Sequence, residues 1–263
     1  MLIYAESPHI SPVSRYFFKI SYNGKAYSGW QYQPNAVTVQ GVIEDVLAKL
    51  LRTSIPIVGC GRTDAGVHAR SFYFHADMPE DALQSIDLIF KLNQMLPHDI
   101  AIHDMMSVSK KAHARFDAIT RAYEFDIHFK KSPFLFESSY YLPFHRNLKL
   151  DLLDRTAHLI QSGSEFAGYS KTGSDVKTTQ CEMDHCRWIY HSDERITFHI
   201  GANRFLRGMV RLLVGASLNV ALGKLDIDEF GQCLQSGKKP SLNWSVPAHG
   251  LFLTDISYPY IKR

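Results

Sequence analysis

The sequence predicts an α+β protein, in which two mixed halves share a largely antiparallel sheet flanked by helices, with an active-site cleft between the halves. Period-two strand patterns and helical apolar stripes occur in both halves of the chain. These patterns do not alternate strictly enough for a doubly wound parallel sheet. The length also fits, because 263 residues with 45% hydrophobic content can bury the core of one large domain or of two halves.

The first half opens with a strand and a helix. From Tyr16 to Tyr22 apolar residues recur at every second position, which is typical of a strand whose two faces differ in burial. From Thr38 to Leu51 the apolar residues lie three or four positions apart, which predicts a helix. Short strands are predicted at Ile55–Cys60 and Ser71–Ala76, and a second helix at Leu83–Met95.

The second half repeats this mixture. Strands are predicted at Arg121–His128, Cys186–Tyr190, Arg195–Ile200 and Leu251–Ile256, and helices at Asp151–Gln161, Phe205–Leu222 and Asp226–Leu234. The stretch Phe129–Lys149, rich in aromatic residues, Lys and Pro, is expected to leave the sheet. We therefore expect a flexible tail over residues 1–14, a first half over residues 15–110 and a second half over residues 111–263.

Composition excludes several classes of protein. The net charge of +3 fits an RNA partner and many other soluble enzymes equally well. The four cysteines are too sparse for a disulfide scaffold, and Cys181, His185 and Cys186 are better explained as ordinary side chains than as metal ligands. No stretch approaches the ~20 apolar residues of a membrane span, and the N-terminus lacks a cleavage signal. We expect a cytoplasmic protein without a bound metal.

The most unusual segment runs from Gly59 to Arg70. Three glycines within eight residues permit a sharp bend from which Arg62 and Asp64 project. The spacing matches neither a dinucleotide-binding fingerprint nor a phosphate-binding loop. Taken alone, Asp64 is a turn residue that bonds its own backbone, as an aspartate near a glycine often does.

Further motifs accompany this segment along the chain. They are Tyr22-Asn-Gly24, Gly29-Trp30-Gln31-Tyr-Gln33, Thr38-Val-Gln-Gly41, Leu92-Asn93 with Leu96-Pro97, His113-Ala-Arg-Phe-Asp-Ala118, Arg121-Ala-Tyr123, Phe205-Leu-Arg-Gly-Met-Val-Arg211 and Gly250-Leu-Phe-Leu253. With Gly61-Arg-Thr-Asp-Ala-Gly66, this ordered series resembles the tRNA pseudouridine synthase A family over roughly residues 15–257.

The resemblance implies that Asp64 is the catalytic residue of an isomerase that needs no cofactor. Pseudouridine formation breaks the bond between C1′ and N1, turns the uracil and joins C5 to C1′. Asp64 could attack C1′, add to C6 or remove the 2′ proton, and the sequence leaves these three roles open. Because a stacked uracil hides its glycosidic bond, the nucleotide must be flipped out, and Arg62 is expected to fill the space it leaves.

Other substrate-binding residues also follow from the resemblance. Tyr123 is expected to lie against the target base and to help to move the proton from C5, although a tyrosine in an alternating strand is usually a packing residue. Arg211 is expected to reach Asp64, and Leu251 to form part of the apolar wall around the uracil. Arg204 and Arg207, three or four positions from their neighbours, are predicted to share a helix face with Arg211.

We expect Arg70, Arg204 and Arg207 to bind RNA phosphates. The family usually has a small residue where Arg204 stands, and it commonly has an arginine that is absent from Lys177-Thr-Thr-Gln-Cys181, so no site residue is assigned in that segment.

The partner implied by the resemblance is the anticodon stem-loop of tRNA, with uridines 38, 39 and 40 in tRNA numbering as targets, acted on by a homodimer. Two alternatives stay open. One is an RNA-binding protein that has lost catalysis, which the joint presence of Arg62, Asp64, Tyr123 and Arg211 disfavours. The other is a hydrolase that uses Asp64 with a histidine or a metal, which needs a second carboxylate or a ligand cluster near Asp64 in the sequence, and neither is found there.

Overall fold

One mixed sheet organises the protein in the computed structural model, which describes residues 13–80, 87–143, 145–171, 178–192 and 194–261. Its strands are β1 (Val13–Tyr22), β2 (Ile57–Gly59), β3 (His68–Pro79), β4 (Ile100–Val108), β5 (Thr120–His128), β6 (Tyr140–Tyr141), β7 (Met183–Ser192), β8 (Arg195–Ala202) and β9 (Leu251–Ser257). The order across the sheet is β4-β1-β3-β9-β5-β8-β7, with β2 beside β3 and β6 beside β5.

Most neighbouring strands of this sheet are antiparallel. The exceptions within the described ranges are β3 with β9 and β5 with β6, which are parallel. Five α-helices lie in the same ranges: α1 (Val39–Leu51), α2 (Leu88–Met95), α3 (Leu150–Ser162), α4 (Met209–Ala221) and α5 (Ile227–Ser236). The predicted α+β class with a largely antiparallel sheet is therefore confirmed. None of the helices that the structure describes is long and apolar enough to cross a membrane.

The first hydrophobic cluster lies between the β1–β3 part of the sheet and helices α1 and α2. Phe18 and Phe74, neighbours across β1 and β3, stack with their ring centroids 4.7 Å apart. Helix α1 begins where the Thr38 side chain accepts a hydrogen bond from the backbone N–H of Gly41 at 3.3 Å. The apolar stripe of this helix then buries Ile43 and Leu47 completely.

The second cluster lies under α3, α4 and α5 against β5 and β8. Helix α4 contributes more residues to it than any other described element, because nearly every residue after its first turn is buried. Helix α5 is capped at its N-terminus by Asp226, whose side chain accepts hydrogen bonds from the N–H groups of Asp228 and Glu229. It ends at Gly237, whose φ of 68° suits glycine.

Strand β9 joins the two parts of the sheet. It runs parallel to β3 through the pairs His68 with Phe252 and Ala69 with Leu253, and antiparallel to β5 over a longer stretch. The clusters also exchange residues, because Val67 packs in the second cluster while Leu253 and Tyr258 pack in the first. The start of β3 therefore lies where the two clusters meet.

The predicted helix Phe205–Leu222 is too long at its N-terminus. Helix α4 begins only at Met209, because Gly208 adopts a left-handed conformation with φ of 69°. Two hydrogen bonds hold the preceding segment away from the helix axis, one from Arg121 to the Asn203 carbonyl and one from the Lys171 N–H to the Arg207 carbonyl. The prediction that Arg204 and Arg207 share a helix face with Arg211 is therefore wrong.

Smaller differences also have physical reasons. Tyr140 and Tyr141, expected outside the sheet, form a two-residue strand that pairs in parallel with the last two residues of β5. The edge strand β4 was not predicted, because its residues from Ile100 to Val108 lack a clear alternation and its pairing with β1 is interrupted by a register shift. Val13 and Ser14 belong to β1 and not to the predicted tail. Residues 1–12, the first residues of the predicted helix Leu83–Met95, and Lys177 lie outside the described ranges.

Gly24 offers a test of how tightly the end of β1 packs on the start of β3. A Cβ atom at Gly24 would lie 1.9 Å from the carbonyl oxygen of Val67, a backbone atom that cannot rotate away. We predict that Gly24→Ala lowers the free energy of unfolding by about 1–3 kcal/mol or more. Gly231→Ala in α5 is the matched control, since its methyl group meets Leu159 at an ordinary 3.6 Å.

The control substitution should raise stability by up to about 1 kcal/mol through helix propensity. Urea unfolding followed by circular dichroism measures both variants. Equal midpoints for the two alanine variants would show that the packing at Gly24 has been misread.

Candidate active site

The bend that carries Asp64 connects β2 to β3, and hydrogen bonds from the first half hold its backbone. We call residues 60–67 the aspartate loop. The Thr63 hydroxyl lies 2.8 Å from the Tyr22 hydroxyl, and the Thr63 carbonyl accepts from the Trp30 N–H at 3.3 Å. At the other end of the loop, the Gly66 N–H donates to the Tyr27 carbonyl at 3.3 Å. The residues on both sides of Asp64 are therefore anchored.

Glycine is needed where the segment around Trp30 crosses this loop. Gly29 has a φ of 92°, and a Cβ atom there would lie 2.4 Å from the Thr63 carbonyl oxygen. Only a residue without a side chain permits both the conformation and the close backbone approach. The fold thus brings three separate sequence motifs, at Tyr22-Asn-Gly24, Gly29-Trp30 and Gly61–Gly66, into direct contact.

Arg211 reaches this loop from the first turn of α4. Its Nε donates to the Val246 carbonyl at 2.7 Å, and its own backbone carbonyl accepts from the Val246 N–H at 3.2 Å. These two bonds fix the direction of the side chain. Arg211 Nη1 then lies 3.5 Å from Asp64 Oδ2, across 147 positions of sequence.

The contact leaves the Asp64 carboxylate accessible. Its side chain is 29% exposed, whereas that of Arg211 is 14% exposed. Within the described part of the chain, Oδ1 of Asp64 has no hydrogen-bond partner. The arrangement is a single contact and not the two-pronged carboxylate pair that an arginine can form. One oxygen therefore faces a guanidinium while the other can meet a reactant.

Tyr123 lies in β5, where it touches both hydrophobic clusters. Its ring meets the Phe205 ring edge to face, with centroids 5.1 Å apart at 88°. Burial raises the pKa of Tyr123 well above its ordinary value, and the nearby Cys60 and Asp64 add to this shift while Arg121 opposes it. The phenol therefore holds its proton more tightly than a free tyrosine does and is protonated at neutral pH.

Leu251 begins β9 directly opposite Phe125 of β5 and is 5% exposed. The preceding Gly250 allows this approach, because a Cβ atom there would lie 2.9 Å from the Phe125 ring. Leu251 is thus a member of the second cluster. Two positions further along β9, Leu253 is paired with Tyr123.

Arg62 differs from Arg211 in its exposure and in its contacts. Its side chain is exposed, and among the described residues it makes no hydrogen bond and no ion pair. No contact with another described residue fixes its direction, although the backbone on either side of it is anchored at Cys60 and Thr63.

The three predicted phosphate contacts have different surroundings. Arg70 forms ion pairs with Glu124 and, at 3.3 Å, with Asp126, and its guanidinium lies 4.4 Å from the centre of the Phe252 ring. Two carboxylates thus balance its charge. Arg204 is half-buried and Arg207 is exposed, and both lie in the segment that leads into α4.

Sequence reasoning gave no role to Arg121, although its motif Arg121-Ala-Tyr123 was noticed. Its Nη2 donates to the Cys60 carbonyl at 2.9 Å and to the Arg115 carbonyl at 2.8 Å. Its Nη1 donates to the Asn203 carbonyl at 3.0 Å. One guanidinium therefore ties the aspartate loop to two segments of the second half. The only signal in the sequence was an arginine two positions before Tyr123.

One surface cavity lies away from this chemistry. Its volume is about 390 Å³, and its walls include Tyr22, His68, Arg70 and Phe252 but none of Asp64, Tyr123 and Arg211. The positions of the reactive side chains indicate the candidate site better than this cavity does, because an open surface that binds a macromolecule need not form an enclosed pocket. Among the described residues, no three His, Cys, Asp or Glu side chains are placed to hold a metal ion.

Comparison with known proteins assigns the family. A family model described as tRNA pseudouridine synthase matches residues 161–259. The tRNA pseudouridine synthase A of Parabacteroides distasonis is 44% identical over 245 residues, covering 93% of this chain and 96% of the relative. The protein of the same name from Porphyromonas gingivalis is 40% identical, covering 94% and 98%. That from Chlamydia muridarum is 34% identical, covering 92% and 91%. The chain therefore belongs to the tRNA pseudouridine synthase A family.

Proposed function

We propose that this protein is a tRNA pseudouridine synthase that isomerises uridines 38, 39 and 40, in tRNA numbering, within the anticodon stem-loop. The observation that carries the proposal is the approach of Asp64 to Arg211. An accessible carboxylate meets an enclosed guanidinium across 147 sequence positions, in a chain of this family. Modification of tRNA is thus the proposed process, and the proposed location is the cytoplasm, where the tRNA substrate would be met.

The proposed reaction is an isomerisation within one nucleotide, so no group from outside the substrate is transferred. The bond from N1 to C1′ breaks, the uracil turns, C5 joins C1′, and the proton of C5 is replaced by one on N1. Reactant and product have the same composition, so no redox group or external donor is needed. Asp64 is the proposed catalytic residue, and its unpartnered Oδ1 is the oxygen suited to act as nucleophile or base.

Three other side chains support this step in the proposal. Arg211 holds the Asp64 carboxylate in place with a direction set by Val246. Tyr123 packs against the target base, and because burial keeps its phenol protonated it does not serve as the base that first accepts a proton. Leu251 supports the apolar wall beside the base from within the second cluster.

RNA binding is assigned to the surrounding arginines. Arg62, unattached in the described structure, is free to enter the space that a flipped nucleotide leaves. Arg204 and Arg207 are the proposed phosphate contacts beside α4. A phosphate contact by Arg70 stays a prediction with less support, because Glu124 and Asp126 already balance its charge.

The proposed architecture places the active site between two halves, residues 15–110 and 111–263, that line one cleft. The aspartate loop comes from the first half, while Tyr123 and Arg211 come from the second. We also propose a homodimer, which rests on the family resemblance and is measured by sedimentation of the purified protein.

Replacement of Asp64 by Asn is the primary test. The amide keeps the shape of the carboxylate but can act neither as nucleophile nor as base. We predict that Asp64→Asn abolishes measurable pseudouridine formation in unmodified tRNA while tRNA affinity and thermal stability change little. Release of tritium from C5 of labelled uridine measures turnover directly.

Asp45→Asn is the matched control, because Asp45 is exposed on α1. The control should turn over at the rate of the parent. Turnover by Asp64→Asn within tenfold of the parent, a loss of only ~1.4 kcal/mol, would exclude Asp64 as the central residue. Tight binding of tRNA by the parent without any product would favour an RNA-binding protein that lacks catalysis.

Methionine variants of Arg211 and Arg62 separate their two roles. We predict that Arg211→Met slows single turnover by roughly 10²-fold, since loss of one charge-stabilising donor commonly costs about 2.7–4 kcal/mol. The loss should be equal for tRNAs whose target uridine is paired or unpaired. Arg62→Met should slow the paired substrate far more than the unpaired one, because its role is to hold the flipped state.

Saturating enzyme removes differences in affinity from this comparison, and urea unfolding controls for the lost Arg211 bond to Val246. If Arg211→Met is the variant that depends on target pairing, the two roles have been assigned the wrong way round.

A further inference from the structure

One motif is left without a function by the proposed site. In His113-Ala-Arg-Phe-Asp-Ala118, Phe116 is 73% exposed, and Arg115 beside it is also exposed. A phenylalanine ring facing water to this extent costs free energy that a binding partner could recover. Other aromatic side chains of the chain are also exposed, so the residues around Phe116 must show whether it belongs to a binding site.

Phe116 is held on a turn that the fold fixes firmly. The His113 N–H donates to Asp117 Oδ2 at 2.8 Å, and the Asp117 N–H donates back to the His113 carbonyl at 3.0 Å. The Tyr260 hydroxyl donates to the same carboxylate at 2.9 Å, and the Tyr258 hydroxyl donates to the Ala114 carbonyl at 2.6 Å. The exposed ring is therefore pre-organised, so little ordering is needed when a partner binds.

A buried histidine adds a further anchor to this turn. His75 is 5% exposed, and its Nδ1 accepts from the Ala114 N–H at 3.1 Å. Burial, with smaller contributions from Arg15 and His113, lowers the pKa of His75 to about 4. The ring is thus neutral at physiological pH, which keeps Nδ1 available as the acceptor that holds the turn.

The surface of the turn combines an aromatic face with positive charge. The His113 ring lies 4.2 Å from the Phe116 ring and covers one side of it, and the Arg115 guanidinium lies 5.7 Å from its centre. Lys110 and Lys111 are exposed immediately before the turn. Single-stranded nucleic acids are bound by this combination, in which bases stack on aromatic rings while cations meet the phosphates.

The turn also has a fixed position relative to the proposed catalytic residue. Arg121 Nη2 donates both to the Arg115 carbonyl at 2.8 Å and to the Cys60 carbonyl at 2.9 Å. Cys60 begins the aspartate loop, four positions before Asp64. A ligand on Phe116 is therefore held at a set distance from the aspartate loop.

We propose that Arg115 and Phe116, flanked by Lys110 and Lys111, form a second RNA-binding site. An unpaired nucleobase of the substrate tRNA, other than the target uridine, stacks on Phe116, and the adjoining phosphates meet the three cations. The proposal rests on the proposed tRNA function. With this added contact, binding of the tRNA depends on the distance between an unpaired nucleotide and the target uridine.

Phe116→Ala tests the stacking contact. We expect the tRNA dissociation constant and KM to rise at least about fivefold, since stacking of one base contributes a measurable share of affinity, while kcat at saturating tRNA changes less than about twofold. Phe116→Tyr, which keeps an aromatic ring, should bind tRNA as tightly as the parent protein does. Phe90→Ala is the matched control, because Phe90 is 61% exposed on α2 and should leave affinity unchanged.

Arg115→Gln tests the phosphate contact, and it should reduce the slope of log Kd against log salt by about one. Equal melting temperatures establish that all variants fold. Unchanged tRNA affinity in Phe116→Ala overturns the second site while leaving the proposed function intact, whereas the absence of pseudouridine formation by the parent protein refutes the function itself. A change of sedimenting mass in Phe116→Ala with unchanged affinity would assign this surface to self-association instead, and so would also overturn the proposal.

Discussion

The position of the Arg211 guanidinium is the constraint on which the rest of the site depends. A charge that is 14% exposed is costly unless its donors are matched, and Arg211 finds its partners in the Val246 carbonyl and the Asp64 carboxylate. The first partner sets the direction of the side chain. The second lies on a loop 147 positions away, so the loop must be delivered to that point by the fold of the other half.

Close backbone contacts from the first half hold the loop in position. Gly24 lies against the Val67 carbonyl and Gly29 against the Thr63 carbonyl, which leaves the loop little room to shift. From the other side, Arg121 binds the Cys60 carbonyl and two carbonyls of the second half. The carboxylate is thus placed from both directions, and local unfolding of either half would disperse the site. This coupling explains how the site around the proposed catalytic carboxylate holds its geometry.

Much of this could be predicted from the sequence, for identifiable reasons. The alternation from Tyr16 to Tyr22 and the apolar stripe of α1 predicted a strand and a helix that the structure contains, although Phe17, on the other face of the strand, is also fully buried. The approach of Arg211 to Asp64 was expected from the family resemblance, and in the structure Arg211 Nη1 lies 3.5 Å from Asp64 Oδ2. The glycines near Asp64 predicted a sharp bend, because few other residues adopt the backbone conformations that such a bend needs.

Other features depend on tertiary contacts that leave no local pattern. The start of α4 is set by Gly208 and by hydrogen bonds to Asn203 and Arg207, so helical spacing alone placed it too early. The sequence predicted Arg70 as a phosphate contact, and it gave no sign that the sheet brings Glu124 and Asp126 beside its guanidinium. The carbonyl contacts of Arg121 join residues far apart in sequence, and a lone arginine in a strand gives no sign of them.

The central claim is that the Asp64 side chain meets the sugar or base of a flipped uridine. A structure of the Asp64→Asn protein bound to a substrate tRNA measures this most directly, through the distance from the residue 64 side chain to C1′, C2′ and C6 of the target. We predict a uracil outside the base stack, with one of these atoms within about 4 Å of the side chain. A target uridine that remains stacked, with a different acidic side chain nearest its C1′, would contradict it.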